Sequence, residues 1–208
     1  YADGSAPTED EITGLLLAAM FAGHHTSSVS TTWTLLELLR HPEYLERVRT
    51  QLAEVYAGVG PTEVGLESLR DVVLLEHGIK EAIRLHPPLF MLLRLAKRDL
   101  HHGGFRIPQG TWVIASPQVS HSLHSVFRAP SRFDPDRFAP PRQEDQLPFA
   151  YLTFGGGRHK CLGNAFALMQ IKIILGLLLR NFEFSLTDDP IVPDFGGLVV
   201  APRQPCRV

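Results

Sequence analysis

The stretch Phe154-Gly155-Gly156-Gly157-Arg158-His159-Lys160-Cys161-Leu162-Gly163 runs directly into an apolar, helix-periodic segment over 164–179. It limits what this chain can become more than any other feature. Three consecutive glycines remove every Cβ ahead of Cys161, and Gly163 removes another just behind it. A flat group can therefore approach the main chain closely. Cys161 also precedes a helix start, where unpaired amides and the positive end of the macrodipole favour thiolate over thiol. An anionic sulfur at the floor of a glycine-lined slot is a metal ligand or a nucleophile.

As a nucleophile Cys161 needs a base and an orienting group, and only His159 is local. As an axial ligand of haem it needs one thiolate, a flat backbone approach and a nearby cation for the propionates, all of which the stretch supplies. A buried, inert cysteine beside a glycine turn is the third reading.

Composition narrows the class without naming it. At 208 residues, with 44% hydrophobic and 20% charged content, the chain has ordinary globular composition and enough length for a core. A net charge of −2 gives no reason to expect nucleic acid as a partner. Cys161 and Cys206 are the 2 cysteines, too few for a disulfide framework if one ligates iron. No apolar run reaches membrane-spanning length.

Along the chain, Thr8 followed by Glu9, Asp10 and Glu11 reads as a helix start with a capping-box carboxylate, and the helical pattern continues to about Arg40. Apolar residues recur so densely that burial on most sides is expected. In its middle stands the polar stretch Ala22-Gly23-His24-His25-Thr26-Ser27-Ser28. There the Thr26 hydroxyl can bond the carbonyl four residues back and Gly23 leaves a groove. His41-Pro42 starts a second helix with Leu45, Val48, Leu52 and Val55 on one face, a loop follows over 58–61, and 66–73 is a short amphipathic connection.

A helix over 74–85 carries Glu81 and Arg84, three apart and therefore on one face. Pro87 and Pro88 end it, and 89–96 reads as an apolar strand. His101-His102-Gly103-Gly104 reads as a hairpin turn, and 111–115 as a strand. The histidines here, with His121 and His124, lack cysteine or carboxylate partners for a metal site. Residues 130–148 form a Pro-rich wrapping segment. Residues 182–186 read as a strand, and 198–200 as another after Pro and Gly turns.

These motifs together resemble the cytochrome P450 superfamily of haem-thiolate monooxygenases. Phe154, Gly157, Cys161 and Gly163 are similar to its haem-binding loop, with His159 where most members carry Arg. Ala22, Gly23, His25 and Thr26 are similar to its oxygen-activation motif, with His25 where most carry an acid. Both departures resemble the sterol 14α-demethylase branch.

The resemblance implies a mainly α fold with small β-sheets, the C-terminal half of the P450 fold, with 1–208 a partial domain whose N-terminal half is absent. It implies haem b (iron protoporphyrin IX) on Cys161, with Arg94 and His159 pairing the propionates. Thr26 and His25 then deliver protons, imidazole titrating near neutrality. Glu81, Arg84 and Arg137, the last in the meander-like Phe133-Asp134-Pro135-Asp136-Arg137-Phe138, form a partly buried network that holds the cysteine loop. Leu89, Phe90 and Met91 with Leu198 and Val199 line the substrate cavity.

The implied reaction is oxidative loss of a sterol 14α-methyl group with O2 and electrons from a ferredoxin or other donor, in a cytoplasmic, bacterial-like protein. Any membrane anchor is expected in the absent half. The alternatives are a hydroxylase of another lipid or terpenoid, and a haem-binding fragment without turnover.

Overall fold

A computed structural model describes residues 4–58, 60 and 65–208 of the chain. Its first element is the helix α1 (Glu9–Arg40). The Thr8 hydroxyl accepts the Glu11 N–H at 3.3 Å while the Glu11 carboxylate accepts the Thr8 N–H at 2.8 Å. This reciprocal pair satisfies two amides that no helix turn can reach. Three acids in the first turn and Arg40 in the last suit the macrodipole.

The two halves of α1 differ in environment. From Ser27 onward it is packed, with Trp33, Leu36 and Leu38 fully buried. From Glu9 to His25 every residue is exposed, including Leu15 at 66%, Met20 at 71% and Phe21 at 65%. The expected burial on most sides therefore fails for the first half. Its apolar residues point all round the axis, and no described element lies against them.

Helix α2 (Pro42–Val55) begins on Pro42, whose missing amide costs nothing at a first helical position. It buries Leu45, Val48 and Leu52, with Val55 half-buried. Residues 59 and 61 of the loop expected over 58–61 lie outside the described residues. Helices α3 (Leu66–Asp71) and α4 (Val73–Leu85) follow, and α6 (Asn164–Asn181) arrives late in the chain. The core forms where the second half of α1 meets α2, α4 and α6. It is built on Leu38, Val48, Leu52, Leu75, Ile79, Ile83, Ile171, Leu175 and Leu179.

Three two-stranded antiparallel ladders surround this bundle. Strand β1 (Leu92–Leu95) pairs with β4 (Trp112–Ala115), setting Arg94 opposite Val113. Strands β2 (Leu100–His102) and β3 (Phe105–Ile107) form the expected hairpin. Gly103 and Gly104 at its turn have φ of +56° and +81°, the left-handed pair that a tight two-residue turn requires. Helix α5 (Pro117–Ser120) is short, and β5 (Pro193–Asp194) pairs with β6 (Ala201–Pro202) near the C-terminus.

Three expected strands change, and the one expected over 198–200 is irregular, with the ladder residues Ala201–Pro202 just beyond it. The segment 89–96 makes a ladder only over Leu92–Leu95. Ahead of it the Phe90 carbonyl accepts the Ser116 hydroxyl at 2.7 Å instead of a strand partner. Residues 182–186 are extended but join no ladder, and the Phe182 amide is spent on the Leu178 carbonyl at 2.9 Å as the last turn of α6. No helix among the described residues is long and apolar enough to cross a membrane.

An exposed apolar helix of this length is a self-association surface. The isolated 208-residue chain should sediment as oligomers and bind hydrophobic dyes at micromolar concentration. Sedimentation velocity checks this, and a dye-silent monomer contradicts it.

Candidate functional site

The loop before α6 is shaped by glycines that serve three different needs. Gly155 has φ +69°, donates its amide to the Leu152 carbonyl at 2.8 Å and turns the chain. A Cβ on Gly156 would lie 2.9 Å from the Phe149 ring, so a side chain there would require that ring to move. Gly157, at φ +63°, opens a single 3-10 turn, Gly157–His159, closed by the Lys160 amide on the Gly157 carbonyl at 3.2 Å.

The Cys161 amide then reaches back to the Phe154 carbonyl at 2.8 Å and fastens the loop on itself. A Cβ on Gly163 would sit 3.8 Å from the Cys161 sulfur, so the glycine keeps that flank of the thiol clear. Cys161 is free and exposed. Leu162, the next residue, and Phe166, in the first turn of α6, are both exposed and apolar, and His159 is exposed two residues before Cys161.

Behind the loop lies a buried charge network. The Glu81 carboxylate accepts Arg84 Nε at 2.7 Å, Arg84 Nη2 at 2.9 Å and Arg137 Nε at 3.0 Å. It also accepts the Asp134 amide at 2.8 Å. Glu81 and Arg137 are 0% exposed and Arg84 1%, so the network is fully buried where partial burial was expected. Arg137 also pairs with Glu144, so two guanidiniums face two carboxylates. Burial pushes the Glu144 carboxyl up, but Arg142 and Arg137 more than offset this and hold it below the usual range.

The remaining guanidinium hydrogens bond main-chain carbonyls. Arg84 reaches His121 at 2.9 Å and Arg132 at 3.2 Å, and Arg137 reaches Arg128 at 3.0 Å. These carbonyls belong to irregular backbone that has no ladder to satisfy them.

Sequence reasoning missed His121, weighing it only as a metal ligand without partners. It caps α5, is 2% exposed, and its ring joins two distant segments. Nδ1 lies 3.0 Å from the Arg84 carbonyl, and Nε2 accepts the Leu152 amide at 2.9 Å. Since Nε2 must accept, the proton sits on Nδ1 and the imidazole is neutral. Burial is the chief cause that lowers its pKa from 6.5 to about 4; Arg84's positive charge adds to it and the bond to the Arg84 carbonyl opposes it. No sequence signal marked this residue, because both partners are backbone atoms more than 30 positions away.

On α1, the Thr26 hydroxyl donates to the Ala22 carbonyl at 2.7 Å, and a Cβ on Gly23 would meet nothing within 4 Å. His25 is exposed and meets His24 edge-on at a centroid distance of 4.8 Å. Arg94 is exposed and bonds the carbonyl of its own neighbour Leu93 at 2.8 Å. The two segments expected to line a cavity are brought together. The Val200 amide donates to the Pro88 carbonyl at 3.0 Å, and Phe90 meets Phe195 edge-on at 5.4 Å. Leu89, Met91 and Leu198 are exposed there, with Phe90 and Val199 half-buried. Among the described residues no three His, Cys, Asp or Glu side chains cluster to hold a metal ion.

The family model described as Cytochrome P450 matches residues 2–208. The chain belongs to the cytochrome P450 family. A "Sterol 14alpha-demethylase" of Mycolicibacterium vanbaalenii is 44% identical over 97% of this chain and 45% of its own length. An "Obtusifoliol 14-alpha demethylase" of Triticum aestivum is 44% identical over 96% of this chain and 46% of its own. A "Lanosterol 14-alpha demethylase" of Cunninghamella elegans is 31% identical over 100% and 45%. This P450 chain thus spans about half the length of the curated relatives it matches.

P450 membership implies a haem cofactor. The residues present fit one: a single exposed thiol, a glycine kept clear at its flank, apolar neighbours, and a bare Ala22-Gly23 step on α1.

Two predictions follow from the buried groups. Arg84→Ala strands the Glu81 carboxylate against Arg137 alone and should cost about 3–5 kcal/mol in denaturant unfolding. For His121 the folded pKa lies below the unfolded one, so the unfolded chain binds more protons between pH 6.5 and about 4. Stability should be complete above pH 6.5 and fall as pH drops towards about 4, by on the order of 3 kcal/mol. Melts across that range should lose this slope in His121→Asn.

Proposed function

We propose that this chain is the haem-binding part of a haem-thiolate monooxygenase that removes the 14α-methyl group of a sterol. The observation that carries the reading is the exposed Cys161 thiol in its self-fastened glycine loop. The sterol demethylase names of relatives at 44% identity support the substrate class. Bound as haem b, the cofactor supplies O2 activation and electron acceptance.

The chain's own residues supply the setting. Cys161 offers the proximal sulfur, and Phe154 and Gly157 shape the loop that presents it. Arg94 is an exposed cation and His159 an exposed imidazole N–H donor for the propionates; Arg94 spends one N–H on Leu93 and keeps further donors. Ala22 and Gly23 leave room over the opposite face. The Thr26 hydroxyl, donating to the Ala22 carbonyl, keeps lone pairs free to accept, and His25 beside it exchanges protons with solvent.

Leu89, Phe90, Met91, Leu198 and Val199 give an apolar wall suited to a sterol ring system. Glu81, Arg84 and Arg137 hold the loop without touching substrate. Residues 1–208 form a partial domain in this reading, and electrons come from a ferredoxin-type donor. We place the protein in the cytoplasm, like a bacterial member.

The test is an absorption spectrum of the full-length protein carrying this chain, with haem, reduced under carbon monoxide. A red-shifted thiolate-type band, lost in Cys161→Ala, is the expected result, followed by a saturable spectral shift with a 14α-methyl sterol. Absence of the band removes the haem-thiolate reading. A band with no response to any such sterol, but a response to another lipid, replaces the substrate class with a hydroxylase.

A further inference from the structure

We propose that His121 is a positioning residue for Cys161, its imidazole passing the fixed geometry of α4 to the loop that presents the sulfur. The inference rests on Cys161 being the ligand, as proposed above, and it follows a continuous series of hydrogen bonds.

The series starts at the buried Glu81 carboxylate, which holds Arg84 through two bonds. Arg84 then grips His121 twice, its side chain on the His121 carbonyl at 2.9 Å and its own carbonyl on Nδ1 at 3.0 Å. Main chain and ring of His121 are thereby fixed relative to α4. Nε2 takes the Leu152 amide at 2.9 Å. The Leu152 carbonyl accepts the Gly155 amide at 2.8 Å, and two residues from Leu152 the Phe154 carbonyl accepts the Cys161 amide at 2.8 Å. Between these bonds the series runs through the Arg84 and His121 side chains, both buried, and through the two-residue stretch from Leu152 to Phe154.

Packing holds the ring in plane. It stacks on Tyr151 at 5.4 Å and 17°, and meets Phe127 edge-on at 5.9 Å. The Tyr151 hydroxyl donates to the Lys80 carbonyl at 3.0 Å and the Thr153 hydroxyl to the Ile83 carbonyl at 3.3 Å, so both neighbours of Leu152 also bond to α4. Leu152 itself lacks a side-chain donor or acceptor, and its amide reaches α4 only through His121.

The job requires a group that donates and accepts at once. A neutral imidazole does this and an imidazolium cannot, since both its nitrogens are donors. The low pKa of the buried ring keeps it neutral throughout the physiological range. Among uncharged substitutes an amide also offers one donor and one acceptor, whereas a phenyl ring keeps the stacking and loses both bonds.

The experiment compares the full-length protein with His121→Phe and His121→Asn, using three readouts. In the haem-free protein, amide exchange at Leu152, Gly155 and Cys161 should quicken about tenfold or more in the Phe variant and return towards the parent rate in the Asn variant. With haem and carbon monoxide, the thiolate-type band should convert to a thiol-type band faster in the Phe variant, and the Asn variant should resist. Nitrogen chemical shifts of the parent should report a protonated Nδ1 and an accepting Nε2.

Unchanged exchange and an unchanged band in His121→Phe would overturn the proposal. So would an Asn variant no better than Phe, or an Nε2-protonated ring. If His121→Phe fails to fold, the Asn variant and the parent nitrogen shifts decide. If the parent gives no thiolate band, the haem-thiolate reading fails, while exchange and nitrogen shifts still judge the link between His121 and the loop.

Discussion

One buried carboxylate organises the functional half of this molecule. Glu81 is fully out of water and holds two guanidiniums; Arg84 spends its other hydrogens on carbonyls of irregular backbone, and Arg137 divides its own between such carbonyls and Glu144. Removing that many charges from water is expensive, and such networks add little net stability over a well-packed apolar core. What they add here is geometry. The stretch between β4 and α6 contains no ladder and only short helical turns, and it is rich in proline. Its carbonyls would be unsatisfied on collapse without the two arginines. The network thus lets a segment without secondary structure of its own pack against α4 in one arrangement, and the cysteine loop follows from that segment.

The surface charges contrast with this. Arg47 and Asp136 make a bidentate pair at 2.9 Å, yet both side chains are about half exposed, and such pairs are worth little. Arg142 bridges Asp134, about a third exposed, and the more buried Glu144. These contacts decorate the outside of the same segment, whereas Glu81, Arg84 and Arg137 sit under it. Placement, more than pair count, separates the groups that fix the site from those that do not.

Much of this was legible in the chain because local rules agreed with the fold. The capping box at Thr8, Pro42 at a helix start, the Gly103-Gly104 turn and the glycine loop each follow from backbone chemistry within a few residues. Glu81 and Arg84 were visible as an i,i+3 pair, but their full burial was not, since it depends on Arg137 more than 50 positions on. His121 was invisible for a stronger reason: its partners are two backbone atoms, and backbone carries no identity in a sequence. The strand expected over 89–96 paired only at Leu92–Leu95, and those expected over 182–186 and 198–200 joined no ladder, because apolar runs suit a pleated surface but cannot supply a neighbouring strand.

In these 208 residues, which span about half the length of the curated relatives, the first half of α1 is bare and the second half is held. The helix is gripped only from Ser27 onward, and Thr26 stands at the edge of the grip. Beyond it the rod extends about 25 Å at 1.5 Å per residue, like a beam clamped at one end. Next to the clamp the hydroxyls of Thr26, Ser30, Thr31, Thr32 and Thr34 all bond carbonyls one turn back, a pattern that bends helices. Small changes in curvature there swing the free end widely while hardly moving Ala22 and Gly23, which ride close to the fulcrum. The lever arm from Ser27 back to Gly23 is about 6 Å at 1.5 Å per residue, so this step follows the packed half of α1 more closely than the rest of the exposed helix does.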